Sequence, residues 1–393
     1  MDWFKYLIIG GGMTADAAVK AIRQVDKDSP VAIISQDTDP PYKRPPLTKK
    51  LWMGKSEEIV WLHTEEQGVD IRLGRIVTNV DPANKRAFDD QGTEYGYEKL
   101  LLATGGTPKR LPFGPDGVIY FRTLADYRRL REIAERGERF VVIGGGFIGS
   151  EIAAALAMNN KRVTMIFPGI GIGDRVYPRE LSNFLVDYYR EHGIEVLTGD
   201  VPVDIGCKED KYEVITQNKR AITTDGVVVG IGITPNTELA EAAGLDVDNG
   251  IVVDGFLRTS HPDIYASGDA ANYYDMVLET RRRVEHEDNA VTMGNFVGMS
   301  MAGEGQPYNH TPYFYSDLFD LGYEAVGDLD VTMETFADWK EPFREGVIYY
   351  THEGRVRGVL LWNVWDRVSA ATQLIAEPGP FTPDDLKGRI TSG

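Results

Sequence analysis

Cysteine is nearly absent: Cys207 is the single one in 393 residues. No intramolecular disulfide, no C-x-x-C pair and no cysteine-rich metal site can therefore form. Its surroundings, DIGCKEDKYEV, are polar and read as a hairpin, which predicts a surface or edge thiol. The six histidines are scattered without ligand spacing, so no metal site is expected. Long apolar runs are missing too, and none reaches the length of a membrane span. The first apolar run begins within a few residues of Met1 and leaves no room for a signal peptide, which predicts a cytoplasmic protein. Basic residues are in deficit, 42 Lys and Arg against 60 Asp and Glu, for a net charge of −18. That balance argues against nucleic-acid binding, because phosphate contacts need a surplus of cations. It also means that docking of an acidic protein needs a local basic patch. Arg128, Arg129 and Arg131 form one candidate and Arg281, Arg282 and Arg283 another, each weighed against a plain solvated face or a phosphate contact.

What is present is a glycine loop that occurs twice. Residues 6–15 read YLIIGGGMTA and residues 140–149 read FVVIGGGFIG. In each, an apolar run of buried-strand character feeds a G-x-G-x-x-A/G turn and then a helical pattern. The first glycine (Gly10, Gly144) makes the tight turn, and the second (Gly12, Gly146) lets the backbone approach a pyrophosphate. The third small residue (Ala15, Gly149) lets helix pack on strand. One such loop is a weak signal. Two in one chain imply two dinucleotide sites, between which electrons can be exchanged.

The length predicts two or three domains. Residues 31–35 and 162–167 read as the second strands of the two units, with a helix over about 14–26 in the first. EKLLLATGGTPKRLP reads as a strand leaving the first domain, and the alternating stretch 195–229 as hairpin strands closed by GVVVGIGITPNTEL. RTSHPDIYASGDAANYYD reads as a strand, a Gly-Asp turn and a loop, followed by a helix from about Glu285 to Met301. From Pro307 the chain is rich in aromatics. There YEAVGDL, GVIYYT and GVLLWNV read as strands, with a helix near 364–377. The expected organisation is α/β, with one dinucleotide-binding domain over 1–115 and 245–306, a second over 116–244, and a C-terminal α+β domain over 307–393.

GGGMTA, RPPLTKKLW (44–52), LLATGGTP (101–108), GGGFIGSE (144–151), GITPN (232–236), ASGDAA (266–271) and RVEHEDNA (283–290) together carry a resemblance over nearly the whole chain. They resemble the FAD-dependent pyridine-nucleotide oxidoreductases of glutathione-reductase-like fold, with two Rossmann-type domains. Within these, the chain is similar to bacterial ferredoxin reductases and to the apoptosis-inducing factor group. RVEHEDNA and YFYSDLFDLGYEAVG (313–327) are closer to the latter.

The resemblance implies FAD at the first loop (Gly10, Gly12, Ala15) and NADH or NADPH at the second (Gly144, Gly146, Gly149). It implies that Asp269 meets the ribityl and phosphate part of FAD, and that Arg44, Thr104 and Gly105 also contact FAD. Gln36, beside Asp37, stands where an acidic residue usually binds the adenosine ribose. Pro45-Pro46 predicts an extended approach to the following helix. In RVTMIFPG, Pro168 and Gly169 stand where NADH-preferring relatives carry a glutamate, which predicts weak discrimination between the two nucleotides. Arg175 is spaced to pair with a 2′-phosphate, whereas Gly149 leans toward NADH; both nucleotides stay open, with NADH slightly favoured. Gly232, in GITPN, completes the implied nucleotide contacts.

For the chemistry, the resemblance implies a Lys49–Glu151 pair near flavin N5, with Glu151 in the first turn of the second loop's helix. It implies that Phe147 covers the flavin face and swings aside for nicotinamide. Glu285 and His286 start the late helix behind the flavin, His286 as a nicotinamide contact, and Tyr315 approaches the flavin or packs in the core. Disulfide reductases of this fold need a redox cysteine pair, and the related peroxidases and oxidases one cysteine beside the flavin. PPYKRPPLTKK has none, so electrons are expected to leave the flavin directly. Three readings stay open: a reductase passing electrons to a ferredoxin-like acceptor, an NADH sensor acting through a stable charge-transfer complex and partner binding, and a reductase of a small oxidant such as a quinone. The expected state is a monomer or a redox-dependent homodimer.

Overall fold

The computed structural model describes residues 2–208 and 211–391. The chain gathers into two compact units. One takes the chain up to Lys43, Glu57–Thr107 and Thr234–Pro312; the other takes Arg44–Ser56, Pro108–Ile233 and the chain from Tyr313 onward.

The first unit is built on parallel strands in the order Asp70–Arg72, Val31–Ile34, Asp2–Ile9, Glu94–Leu102. Beyond Glu94–Leu102 the sheet forks. Its last residues pair in parallel with Ile264–Ala266, and its first pair antiparallel with Arg86–Asp89. Tyr6, Leu7 and Ile8 are buried in succession because both faces of the central strand are covered, as parallel sheets require. The helix Met13–Val25 lies directly against Glu287–Met301, and two glycines make the approach possible. A Cβ on Gly294 would fall 2.6 Å from the Thr14 carbonyl oxygen, and one on Gly298 2.4 Å from that of Ala18. Two readings change here. The expected loop after the Gly-Asp turn is a strand, Ala271–Asp275, paired with Thr280–Arg282. The late helix starts at Glu287, with His286 as its extended N-cap residue and Glu285 ahead of it.

The second unit holds a parallel sheet in the order Glu195–Thr198, Arg162–Phe167, Arg139–Ile143, Gly226–Val229, Ile119–Tyr120. Within the stretch 195–229, strands Pro202–Lys208, Lys211–Thr216 and Ala221–Thr224 form hairpins with Cys207 exposed on the first, whereas Glu195–Thr198 pairs in parallel rather than in a hairpin. Residues 209 and 210, part of the stretch expected as hairpins, lie outside the described residues. An antiparallel five-stranded sheet follows, ordered Tyr313–Leu318, Leu321–Gly327, Arg355–Trp362, Glu345–His352, Glu334–Glu341. Helix Val368–Ala376 packs on it. That helix starts later than the aromatic pattern suggests because Asn363 and Asp366 turn the chain at positive φ. Among the described residues no helix is long and apolar enough to cross a membrane.

Candidate functional site

Each glycine loop is shaped as an anion cradle. At Gly10, φ is +113° and a Cβ would fall 2.1 Å from the Ala103 carbonyl oxygen, so only glycine fits the turn. Gly12 is the N-cap of Met13–Val25 without any side-chain cap, and a Cβ there would meet nothing within 4 Å. The helix thus presents its first N–H groups to open space, where an anion gains from both the donors and the dipole. Ala15 is fully buried against the sheet. The second loop repeats this: Gly144 has φ +121° and abuts the Gly230 carbonyl, and Gly146 is the uncapped N-cap of Phe147–Met158 facing open space. A Cβ on Gly149 would fall 2.1 Å from the Gly144 carbonyl oxygen, so the third position admits no larger residue. Both loops fit a pyrophosphate by the space over the second glycine and by the uncapped helix behind it.

In the first unit, Asp269 sits half-buried on the turn Gly268–Ala270, and next to it the Ser267 hydroxyl is buried with no hydrogen-bond partner among the described residues. Such a buried orphan fits a site that receives a polar ligand. Arg283 donates to the Asp269 carbonyl at 3.0 Å and to the Glu285 carboxylate at 2.5 Å, bracing the turn against the start of the late helix. Burial pushes the His286 imidazole down to about 4, with the Asp269 charge opposing that shift, so His286 is neutral at pH 7. Thr104 donates to the Asn236 carbonyl at 2.7 Å, and Asn236 donates back to Thr104 and Gly105. Those two residues therefore clamp the GITPN segment. Gln36 is exposed just past the strand Val31–Ile34. Its neighbour Asp37 is engaged by Tyr42 at 2.9 Å, leaving Gln36 as the polar side chain at that strand end.

In the second unit, the segment 44–56 is anchored by Trp52, whose indole donates to Leu47 and packs edge-on against Tyr127. Asn159, capping Phe147–Met158, donates to the Trp52 carbonyl. This anchoring places Lys49 on Glu151: Nζ lies 3.3 Å from Oε1 and 3.6 Å from Asp317, and both members of the Lys49–Glu151 pair are under a tenth exposed. Glu151 is further held by the hydroxyls of Thr48 and Ser316, each at 2.6 Å. The Lys49 ammonium also sits 4.1 Å from the centre of the Tyr315 ring. Beneath this cluster the Tyr177 hydroxyl donates to that of Tyr323 at 2.8 Å; burial pushes both phenols up, so they stay protonated. The ring of Phe147, the first residue of its helix, lies 5.4 Å from that of Phe314.

The structure brings Lys49, Glu151 and Tyr315 together as one cluster. Two details differ from the sequence reading. Glu151 is the fifth residue of its helix and stands beyond the first turn, so hydroxyls and an ammonium, rather than the helix dipole, balance its charge. Arg44 is half-buried with a helical backbone (φ −84°, ψ −37°), because the chain turns into the short helix Pro45–Thr48 despite the following proline. Sequence reasoning missed Thr48, Ser316 and Asp317, the other groups around the pair. Small hydroxyls carry no charge pattern, and Ser316 and Asp317 sit on a strand over 250 residues from Lys49 in the chain. Gly232 (φ +94°) is exposed past Gly226–Val229 and accepts from the Lys109 amide; Arg175 is exposed. The arginines of both clusters have partners within the chain, while Arg128, Arg129 and Arg281 remain exposed. Arg281 and Arg283 donate to backbone carbonyls, Arg282 pairs with Asp275, Arg129 donates to Asp116 and Gly117, and Arg131 holds Asn159. No group of three or more potential metal ligands exists among the described residues.

Comparison with known proteins gives the same picture. The family described as "Pyridine nucleotide-disulphide oxidoreductase" matches residues 4–294, and "Apoptosis-inducing factor, mitochondrion-associated, C-term" matches 297–342 and 336–377. "Apoptosis-inducing factor 1, mitochondrial" of Dictyostelium discoideum is 34% identical, over 95% of this chain and 79% of its own. The "5,5'-dehydrodivanillate O-demethylase ferredoxin reductase subunit" of a Sphingobium species is 34% identical, over 91% and 89%. The solved covalent putidaredoxin reductase–putidaredoxin complex superposes with TM-score 0.89 at 29% identity, over 98% of this chain and 95% of its counterpart. The chain thus belongs to the pyridine nucleotide-disulphide oxidoreductase family, as a ferredoxin-reductase-like, FAD-dependent NAD(P)H oxidoreductase.

Proposed function

We propose that the chain accepts hydride from NAD(P)H onto FAD and delivers electrons one at a time to a ferredoxin-type iron–sulfur protein, with no cysteine in the path. FAD supplies the two-electron to one-electron conversion when bound. In this reading residues 1–115 and 245–306 hold FAD through Gly10, Gly12, Ala15, Gln36 and Asp269, and residues 116–244 hold the nucleotide through Gly144, Gly146 and Gly149. Residues 307–393 supply Tyr315 to the Lys49 cluster.

The observation that carries the reading is the buried Lys49–Glu151 pair. Its geometry supports a cation fixed in advance, with Glu151, Asp317 and the Tyr315 ring holding the ammonium in place. A charge held this way needs no reorganisation when negative charge develops nearby, which makes it effective in a water-poor site. In the same reading Phe147 covers the flavin face and swings aside for nicotinamide, and neutral His286 contacts the nicotinamide as a hydrogen-bonding group rather than as a cation. Cys207 lies exposed on a hairpin strand and stays outside the chemistry.

The test is NAD(P)H-dependent reduction of a panel of [2Fe–2S] ferredoxins by the FAD-loaded protein. Turnover is expected, and Cys207→Ser is expected to retain it within about twofold, since surface changes away from a site have small effects. Absence of ferredoxin reduction, with fast turnover of a quinone instead, would select the small-oxidant reading.

The match of residues 297–377 to the apoptosis-inducing factor C-terminal region favours one alternative: a sensor in which nucleotide binding alters assembly. Slow reduction followed by a dimer on size-exclusion chromatography would select it.

His286 also sets an acid limit. Its folded pKa of about 4 lies below the unfolded value, so its contribution is constant above pH 6.5. As pH falls from 6.5 to 4 the unfolded chain takes up a proton that the half-buried imidazole of the folded chain resists, so stability falls over that window. Chemical denaturation of His286→Gln is expected to show a correspondingly shallower loss over that window; identical pH dependence in the two proteins would contradict it.

A further inference from the structure

The strand Arg162–Phe167 ends beside the second glycine loop, and the position where a side chain would leave this strand end is taken by Gly169. The space is not vacant. A Cβ built on Gly169 would lie 2.1 Å from Oδ2 of Asp174, 2.7 Å from its Cγ and 2.9 Å from Oδ1. A carboxylate from five residues downstream therefore fills the volume in which a residue-169 side chain would begin. The two are mutually exclusive: any side chain at 169 would have to displace Asp174.

The loop between them is built to hold that carboxylate. The Ile170 amide donates to Asp174 Oδ2 at 3.0 Å. The Gly173 amide donates at 2.8 Å to the carbonyl of Gly145, inside the glycine loop itself, and Gly199 donates to the Gly169 carbonyl at 2.9 Å. Gly173 has φ +65° and would collide with the Tyr177 ring if it carried a Cβ. Tyr177 is buried and fixed through its hydroxyl to Tyr323. Asp174 is half-buried, and its Ile170 bond leaves Oδ1 as an acceptor. Among the described residues it has no ion-pair partner, so its charge stays uncompensated.

We propose that Asp174 supplies the acidic group missing at Gly169 and makes the second loop select the free ribose diol of NADH over the 2′-phosphate of NADPH. This rests on the second loop being the nicotinamide-nucleotide site. A carboxylate accepts hydrogen bonds from a diol but repels a phosphate dianion. Arg175 carries the opposite charge, yet it is exposed, where water and salt screen it, and no hydrogen bond aims its side chain toward Gly169. Asp174, tied to the backbone at the strand end, dominates over it. The weak nucleotide discrimination that follows from Gly169 alone is thereby replaced by a clear preference.

The experiment is titration calorimetry of the FAD-loaded protein with ADP-ribose and with its 2′-phosphorylated form, neither of which exchanges electrons. A carboxylate set against a phosphate dianion repels it, so the wild type is expected to favour ADP-ribose by about 30-fold or more. Asp174→Asn keeps an oxygen for the Ile170 amide and removes only the charge. It is expected to shrink that ratio by about tenfold or more, mainly by tighter binding of the phosphorylated fragment. Arg175→Ala is expected to leave the preference for ADP-ribose in place. A wild-type ratio near one, or a ratio unchanged in Asp174→Asn, would overturn the proposal while leaving the nucleotide site intact. Binding of neither fragment to the wild type would overturn the assignment of the second loop as well.

Discussion

Gly12→Val is expected to give a folded protein that purifies without flavin. The Gly12 backbone (φ −93°, ψ −169°) is open to any L-residue, and its Cβ direction meets no protein atom within 4 Å. The apo protein therefore has no clash to relieve and should melt within a few degrees of wild-type apoprotein. The added branches fill the space over the uncapped helix Met13–Val25, which is where a pyrophosphate has to approach. The matching change in the second loop, Gly146→Val, is expected to keep FAD fully bound and to lose binding of NADH and NADPH. Its backbone is equally permissive (φ −87°, ψ −169°), and its Cβ direction is equally open. Gly10→Ala is a different case, because its φ of +113° and a backbone oxygen at 2.1 Å make it damaging to the fold itself. The check is flavin absorbance per protein after purification, with thermal melts compared between apoproteins so that lost ligand stabilisation is not read as misfolding. Stoichiometric flavin in Gly12→Val, or flavin loss in Gly146→Val, would reverse or remove the assignment of the two loops.

Lys49→Ala is expected to slow flavin reduction by about 10²–10³ with FAD still bound, the usual scale for removing one preorganised electrostatic stabiliser. The same change leaves the Glu151 side chain buried with two hydroxyl donors and no cation. Breaking a buried ion pair from one side costs about 3–5 kcal/mol. Here Thr48 and Ser316 keep donating, so the low end of that range is expected. The two effects can be separated. In Lys49→Ala/Glu151→Gln the buried charge is gone, so stability should recover, while reduction should remain as slow as in the single variant. Anaerobic stopped-flow absorbance and a denaturant titration on each protein make the comparison. A double variant that regained the rate along with the stability would show that Lys49 acts only by supporting the fold.

The sequence made legible what depends on local geometry. The two glycine loops, the strands feeding them and the helices they open are all present, because a tight turn and a close approach demand small residues at fixed spacing. Lys49 and Glu151 were found because each lies in a recognisable segment, RPPLTKKLW and GGGFIGSE. What stayed hidden depends on long-range contacts. Ser316 and Thr48 meet at Glu151 from opposite ends of the chain. The strand Glu334–Glu341 was invisible because it is an exposed edge whose polar residues, ETFADWKE, lack the apolar alternation of a half-buried strand. The partners of the arginine clusters carry no sequence signal either, because they are mostly backbone carbonyls. The approach of Asp174 to Gly169 is a loop contact between residues five apart, which no sequence spacing marks.

In the proposed function, electrons pass from nucleotide to flavin and then directly to a one-electron protein acceptor. Anaerobic rapid mixing of the FAD-loaded protein with NADH, followed by a second mix with oxidised [2Fe–2S] ferredoxin, tests it most directly. The expected record is rapid bleaching of the flavin band, then its rapid return as the ferredoxin is reduced, in Cys207→Ser as in wild type. Slow bleaching into a product that ferredoxin does not reoxidise would contradict the claim.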